Sequence, residues 1–341
     1  MTSKERVKAA LAGDKTDRVP LFLWLSERAE NNFKKYLAAN PGIYAPENDV
    51  LQDWLSINRQ MTLPAAEGEI FTDEWGIDWK REGEYNNVVS HPLAEADAEI
   101  IENYVFPQPL LPKRYEKLRR LMSENPDSFI GADVSGTLFE PSYHIRGMEN
   151  LLVDLASESE EAEVLLDKII GFSCAVCAEA AKLGADWIWL GDDFGTQQAM
   201  ILSPALWRRY FKPRYAALIE EVKKIRKDMP FAFHSCGSVF PIIGDLKEIG
   251  VNVINPLQES AAGMEHEKIR AQYPDVTMFC GVDTQTLLRS GTPGDVYKKT
   301  LEKIDALGRN GRYILGCSHT IQSDVPCENI AAVYAALKDA R

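Results

Sequence analysis

Five short apolar runs recur through the second half of the chain: "DWIWLG" (186–191), "FAFHSC" (231–236), "VNVINP" (251–256), "VTMFCG" (276–281) and "RYILGC" (312–317). Most of the gaps between them carry amphipathic helical patterns such as "FPIIGDLKEIG" and "PGDVYKKTLEKIDALG". Continuous apolar runs of this length read as strands buried on both faces. Such strands alternating with helices require parallel βαβ units. Upstream, "RVPLFLW", "EIFTDEWG" and "SFIGADVSG" bring the expected strand count to eight. Eight parallel strands predict one (β/α)8 TIM barrel over residues 1–341. A doubly wound sheet produces similar local signals, but no glycine-rich phosphate-binding turn follows any of these runs. The stretch 26–125, rich in Pro, Trp and charge, is expected to form loops and helices inserted early in the barrel. The opening "MTSKERVKAALAG" reads as a helix with a Thr2–Glu5 capping box and Gly13 as its stop, and a later helix starts near Ser203–Pro204 and kinks at Pro213.

The 341-residue length suits one such barrel, and the net charge of −13 argues against a surface built for polyanions or anionic membranes. "VPLFLWL" is too short and too interrupted for a signal peptide, and nothing approaches a membrane span. The six cysteines are therefore expected as reduced thiols in a cytoplasmic protein.

In a barrel of this kind the site lies at the carboxyl ends of the strands. Those ends carry Asp73 and Glu74, Asp133 and Ser135, Asp192 and Asp193, His234 and Cys236, Asn255 and Gln258, Asp283 and Gln285, and Cys317 and His319. So many ionisable groups behind separate apolar strands would be costly without a task. His234 and Cys236, two apart on an extended chain, face the same side. With Cys317 or His319 from the last strand they form a set of borderline-soft donors suited to Zn2+, leaving one position open. The competing reading is that Cys236 packs as a small apolar residue. Asp192 or Asp193 can ligate metal, act as a base or cap a helix. The "CAVC" pair (174–177) lies in a helical pattern and reads as core, as do Cys280 and Cys327, while His91, His144 and His266 carry no argument alone.

"HSCGSV", "GVNVINPLQ", "FTDEWGIDW", "GADVSGTLFEPSYHIRG", "WLGDDFGTQQAMILSPALWRRYFKP" and "YILGCSHTIQSDVPCENIAAVYAAL" make the chain resemble the uroporphyrinogen decarboxylase superfamily over almost its whole length. It is most similar to the branch of corrinoid-linked methyltransferases and O-demethylases. The resemblance implies zinc held by His234 and Cys236 with Cys317 or His319, assistance from Asp192 and Asp193, and substrate positioning by Asn255, Gln258 and Asp283. It implies methyl exchange between a small substrate (methyl ether, methylamine or thiol) and a corrinoid on a separate partner protein. A homodimer is carried as an expectation, with no nucleic acid and no membrane among the partners. The alternative on the same scaffold is a metal-free decarboxylase using Asp73, Tyr143 and His319. Its arginine-bearing substrate clamp is absent here, since "LSERAENNF" holds only Arg28. A non-catalytic tetrapyrrole- or corrinoid-binding barrel is the third reading.

Overall fold

Seven strands run parallel in one curled sheet. In spatial order they are β1 (Val50–Trp54), β5 (Phe129–Asp133), β6 (Trp187–Gly191), β7 (Phe231–His234), β8 (Val253–Asn255), β9 (Thr277–Val282) and β10 (Tyr313–Cys317). A second, antiparallel sheet holds β2 (Ile70–Thr72), β3 (Asp78–Glu82) and β4 (Tyr85–Val88). The computed structural model describes residues 1–308 and 311–340. No helix among the described residues is long and apolar enough to cross a membrane.

The segment Pro20–Leu25 lies between the two edges of the large sheet. On one side the Phe22 N–H donates to the Leu315 carbonyl at 2.9 Å and the Leu315 N–H to Pro20 at 2.8 Å. On the other, the Asp49 N–H donates to the Leu21 carbonyl at 2.8 Å. Leu23 is bonded at both its N–H and its carbonyl by the Asn48 side-chain amide, at 2.9 and 2.8 Å. Here "RVPLFLW" occupies an expected strand position but forms only isolated bridges. The reason is local: Pro20 lacks an N–H, and a side-chain amide takes the place of a backbone partner at Leu23.

Two expectations need correction. "EIFTDEWG" contributes β2, which pairs antiparallel in the small sheet and takes no part in the parallel one. Its place is taken by β1, "VLQDW", whose Gln52 and Asp53 hide it from a search for apolar runs. The 26–125 stretch thus supplies a strand of the main sheet as well as loops and helices.

Helices cover the outer face of the sheet. Pro293–Leu307 begins with a Thr292–Asp295 capping box and turns Val296, Thr300, Ile304 and Leu307 inward at helical spacing. Ser3–Ala12 is closed by its predicted capping box and by Gly13 in the left-handed region. Pro204–Tyr210 and Lys212–Ile225 meet at Phe211, so the break falls just before Pro213, where the proline ring would clash with the preceding turn.

Alternation along the strands divides the core in two. Phe22, Trp187, Trp189, Ala232, Phe279 and Ile314 fill the concave side, with Trp187 and Trp189 ring centroids 5.2 Å apart. Ile188, Leu190, Phe231, Phe233, Leu315 and Cys317 belong to the larger cluster between sheet and helices. That parity decides which strand-end residues face the mouth.

Candidate functional site

The ends of β6 and β7 bring Asp193, His234 and Cys236 together, with one donor atom from each lying within 4.8 Å of the others. His234 Nε2 is 3.6 Å from Cys236 Sγ and 3.6 Å from Asp193 Oδ1. A tetrahedral ion with bonds of about 2.0–2.3 Å spaces its ligands by roughly 3.5 Å, so the three donors could hold one with little movement. The Cys236 N–H donates to Asp193 Oδ1 at 2.8 Å, tying the two strand-end loops together.

Asn255, on the neighbouring strand in register with His234, sets the imidazole. Its Nδ2 donates to the Phe279 carbonyl at 3.4 Å, which turns its Oδ1 toward His234 Nδ1 at 2.6 Å. The proton is thereby assigned to Nδ1, and the Nε2 lone pair faces the thiol and the carboxylate. Burial, with Asp193 and Glu140 nearby, pushes the Cys236 thiol well up. A bound cation would reverse that preference. Asn255→Ala is expected to weaken metal affinity about 10- to 100-fold while leaving all three donors in place. Competition with a chelator measures this, and unchanged affinity would mean that the imidazole is oriented otherwise.

Two hollows meet at these donors. One of about 190 Å³ is bounded by Trp24, Trp54, Trp189, Tyr143, Asp133 and Glu140, with His234 and Asp193 in its wall. The other, of about 720 Å³, has Cys236, Gln258, Gln285 and Arg289 in its lining. His319 and Thr320 line both. Asp133 accepts from Gln52 Nε2 and Trp54 Nε1, each at 2.6 Å, and from the Ser135 N–H and Oγ at 2.9 and 2.6 Å. Burial pushes its carboxyl up to about 6 despite those donors. Glu140 accepts from the Asp193 N–H at 3.1 Å and from Asn58 Nδ2 at 2.8 Å. Burial and the neighbouring Asp193 and Asp192 raise it well above the ordinary range.

His144 lines the smaller hollow, and burial, with a lesser effect from His91, pushes it down to about 3. In the unfolded chain a histidine protonates near 6.5. Between those two values only the unfolded state takes the proton, so acid removes stability, at most about 2 kcal/mol between pH 6.5 and 5. His144→Phe is expected to narrow the difference in urea-unfolding free energy between pH 7 and pH 5 by up to that amount. The opposite shifts of Asp133 and Asp192 remain in both proteins and cancel in the comparison.

The remaining predicted site residues separate into distinct places. Tyr143 and His319 stand in the wall of the smaller hollow, and burial lowers the His319 imidazole. Gln258 accepts the Gly237 N–H at 3.0 Å and so supports the Cys236 loop. Cys317 ends β10 on its outer face, in the cluster that contains Tyr334, and burial pushes its thiol up to about 11. It is turned away from the donors, which corrects the expectation of a third ligand there. Both Asp192 oxygens are occupied, by the N–H groups of Leu138 and Glu140 at 2.9 Å each and by the Tyr215 hydroxyl. It caps the start of the helix Phe139–Arg146. Asp283 accepts the N–H groups of Gln285, Thr286 and Leu287 at 3.1, 2.9 and 3.0 Å and shapes its own turn. Asp73, expected at the mouth, accepts from the N–H groups of Trp75 and Ile77 and from Trp79 Nε1 in the small sheet's turn, beside a different hollow. It follows an antiparallel strand, so the strand-end rule does not reach it. Glu140, Trp24, Trp54 and Trp189 stand outside the polar strand-end set because Glu140 comes from a helix, Trp189 from a strand interior, Trp24 from the Pro20–Leu25 segment and Trp54 from the end of a strand with no apolar run.

Comparison with known proteins places this geometry in a family. Residues 75–340 match the uroporphyrinogen decarboxylase (URO-D) family. The methylated-thiol--coenzyme M methyltransferase of Methanosarcina mazei is 23% identical over 207 residues, 59% of this chain and 51% of that protein, so the match spans about half the relative's length. The uroporphyrinogen decarboxylase of Thermus thermophilus is 24% identical over 276 residues, 77% of this chain and 75% of that one. A solved structure of a methyltransferase from Methanosarcina mazei superposes over 99% of both chains with a TM-score of 0.73 at 18% identity, a likeness of fold. The chain therefore belongs to the uroporphyrinogen decarboxylase family.

Proposed function

We propose that the chain is a zinc-dependent methyltransferase that exchanges a methyl group between a small substrate and a corrinoid carried by a separate protein. In this reading the curled sheet is a single TIM-barrel domain, completed by Pro20–Leu25 between β10 and β1. The observation that carries it is the Asp193–His234–Cys236 set, an oxygen, a nitrogen and a sulfur donor within 4.8 Å of one another, the imidazole 3.6 Å from each of the other two, where two hollows meet. Zinc is the ion to which such a mixed set is best suited, with the fourth position left to substrate. Asp193 takes the third ligand position, and His319 lines both hollows beside it.

When bound, zinc supplies Lewis acidity toward the substrate's methyl-bearing heteroatom or its thiol. Asn255 holds the His234 tautomer. Gln258 and the Cys236–Asp193 bond hold the loop in place. Glu140 and Tyr143 stand where a proton could be exchanged with the leaving or attacking heteroatom. The relative's printed activity, methyl transfer involving thiols, agrees with this assignment. A polycarboxylate substrate agrees less well, because no lysine or arginine among the described residues lines the smaller hollow.

The test is elemental analysis of tag-free protein together with methyl transfer to or from cobalamin, followed by the cobalt spectrum. Methyl ethers, methylamines and thiols make up the panel. About one zinc per chain and turnover with at least one compound are expected. Protein that stays metal-free after zinc is offered, with no turnover, would sink the proposal and leave the decarboxylase or binding readings.

A further inference from the structure

We propose that the smaller hollow is a receptor for a cationic ammonium headgroup, so that the small substrate is an ammonium-bearing thiol, thioether or ether. This rests on the methyltransferase reading for the substrate's reacting atom, but not for the headgroup site itself. The walls are aromatic: Trp24 and Trp189 form a corner, with centroids 5.2 Å apart and planes at 62°, and Trp54 and Tyr143 complete the enclosure. The faces of such rings attract cations, most strongly when the cation is stripped of water.

The charges point the same way. Asp133, Glu140 and Asp193 line the hollow, and no lysine or arginine among the described residues does. Half-buried His144, its imidazole pushed down to about 3, offers no counter-charge at pH 7. A divalent ion on the three donors would not change the balance, because the Asp193 carboxylate and the Cys236 thiolate already cancel its two charges. Asp133 would remain without a cation, with the Glu140 carboxyl beside it as a further polar oxygen pair. Four hydrogen-bond donors converge on Asp133 and stabilise its carboxylate form. An anionic substrate placed here would face those carboxyls in a low-dielectric enclosure, where repulsion is strongest.

Size adds a constraint. A volume of about 190 Å³ equals roughly six waters at about 30 Å³ each, enough for a trimethylammonium or primary ammonium group on a short tail. The Trp24 and Trp189 ring centroids lie 6.0 and 6.4 Å from that of His234, so a headgroup at this corner is joined to the donors by a short tail.

The test uses probes matched in shape and different in charge. Binding of choline and of its neutral isostere 3,3-dimethylbutan-1-ol is measured by calorimetry on wild type, as purified and after chelator treatment. Thiocholine, 2-mercaptoethanol and 2-mercaptoethanesulfonate are then compared as methyl acceptors from methylcobalamin. Choline is expected to bind at least tenfold more tightly than the isostere in both preparations, and thiocholine to outperform the neutral and anionic thiols. Asp133→Asn, which keeps the size and removes the charge, is expected to weaken choline several-fold and leave the isostere unchanged. Equal binding of choline and isostere, or a preference for the sulfonate, overturns the headgroup site even if methyl transfer is found. A choline preference in a protein without zinc or turnover would leave this site standing and remove the methyltransferase reading instead.

Discussion

Cys236→Ser is expected to lose its bound metal and to lower methyl transfer by more than about a hundredfold, beyond the effect of an outer partner such as Asn255. A serine hydroxyl does not ionise at the pH where a metal-bound thiol does, so the set keeps only an imidazole and a carboxylate. The fold should survive. Cys236 is anchored by its backbone N–H, which donates to Asp193 at 2.8 Å, and serine retains that bond. The side chain borders the larger hollow rather than filling the core, so replacing sulfur with oxygen leaves no cavity. Elemental analysis, cobalamin spectroscopy and a thermal scan read the three quantities separately. A variant with full metal and normal Tm would show that the ion sits elsewhere. Loss of metal with unchanged turnover would make the ion incidental.

The sequence carried more of this site than the search for strand-end polar residues drew from it. The alternation that paired His234 with Cys236 also runs through Trp187, Trp189, Gly191 and Asp193 on the concave side of β6. Continued one step past the strand end, it separates Asp193 from Asp192. On β10 the same count puts Ile314 inside and Cys317 outside. Parity thus held the choice between the two aspartates and the objection to Cys317. It fails at His319, where the chain has already turned out of the strand. The helices Pro293–Leu307 and Ser3–Ala12 were legible because both carry capping boxes and apolar residues at helical spacing, the first turned toward the outer cluster and the second placing Val7 in the concave one. β1 was not, because a short strand with Gln52 and Asp53 at its centre has no apolar run to detect. Gln52 bonds Asp133 across the sheet and Asp53 pairs with Lys117, partners visible only once the chain is folded. Glu140 and Trp54 join the site for the same reason: tertiary neighbours bring them there.

Gly237→Ala is expected to combine a loss of stability of about 2–4 kcal/mol with a fall in metal affinity larger than that of Asn255→Ala. Gly237 has φ +76°, in the left-handed region, where an L side chain costs about 1–2 kcal/mol. A Cβ there would also lie 2.6 Å from the Gly195 carbonyl carbon and 2.6 Å from the Thr196 oxygen, backbone atoms that cannot rotate away. The contact is reciprocal, for a Cβ on Gly195 would meet the Cys236 oxygen at 2.5 Å and the Ser238 nitrogen at 2.7 Å. The loops after β6 and β7 therefore cross backbone to backbone, held by the Ser238 N–H on the Thr196 carbonyl at 2.8 Å. Asp193 and Cys236 sit immediately before that crossing on their respective strands. Any methyl inserted there must part the loops, and parting them moves the carboxylate from the thiol. Gly195→Ala supplies the control, since its φ is not in the left-handed region. Both variants should lose metal affinity through the clash, and only Gly237→Ala should carry the added backbone cost, seen as the lower Tm. If both bound metal as wild type does, the loops could separate without disturbing the donors, and the crossing would not be what sets their spacing.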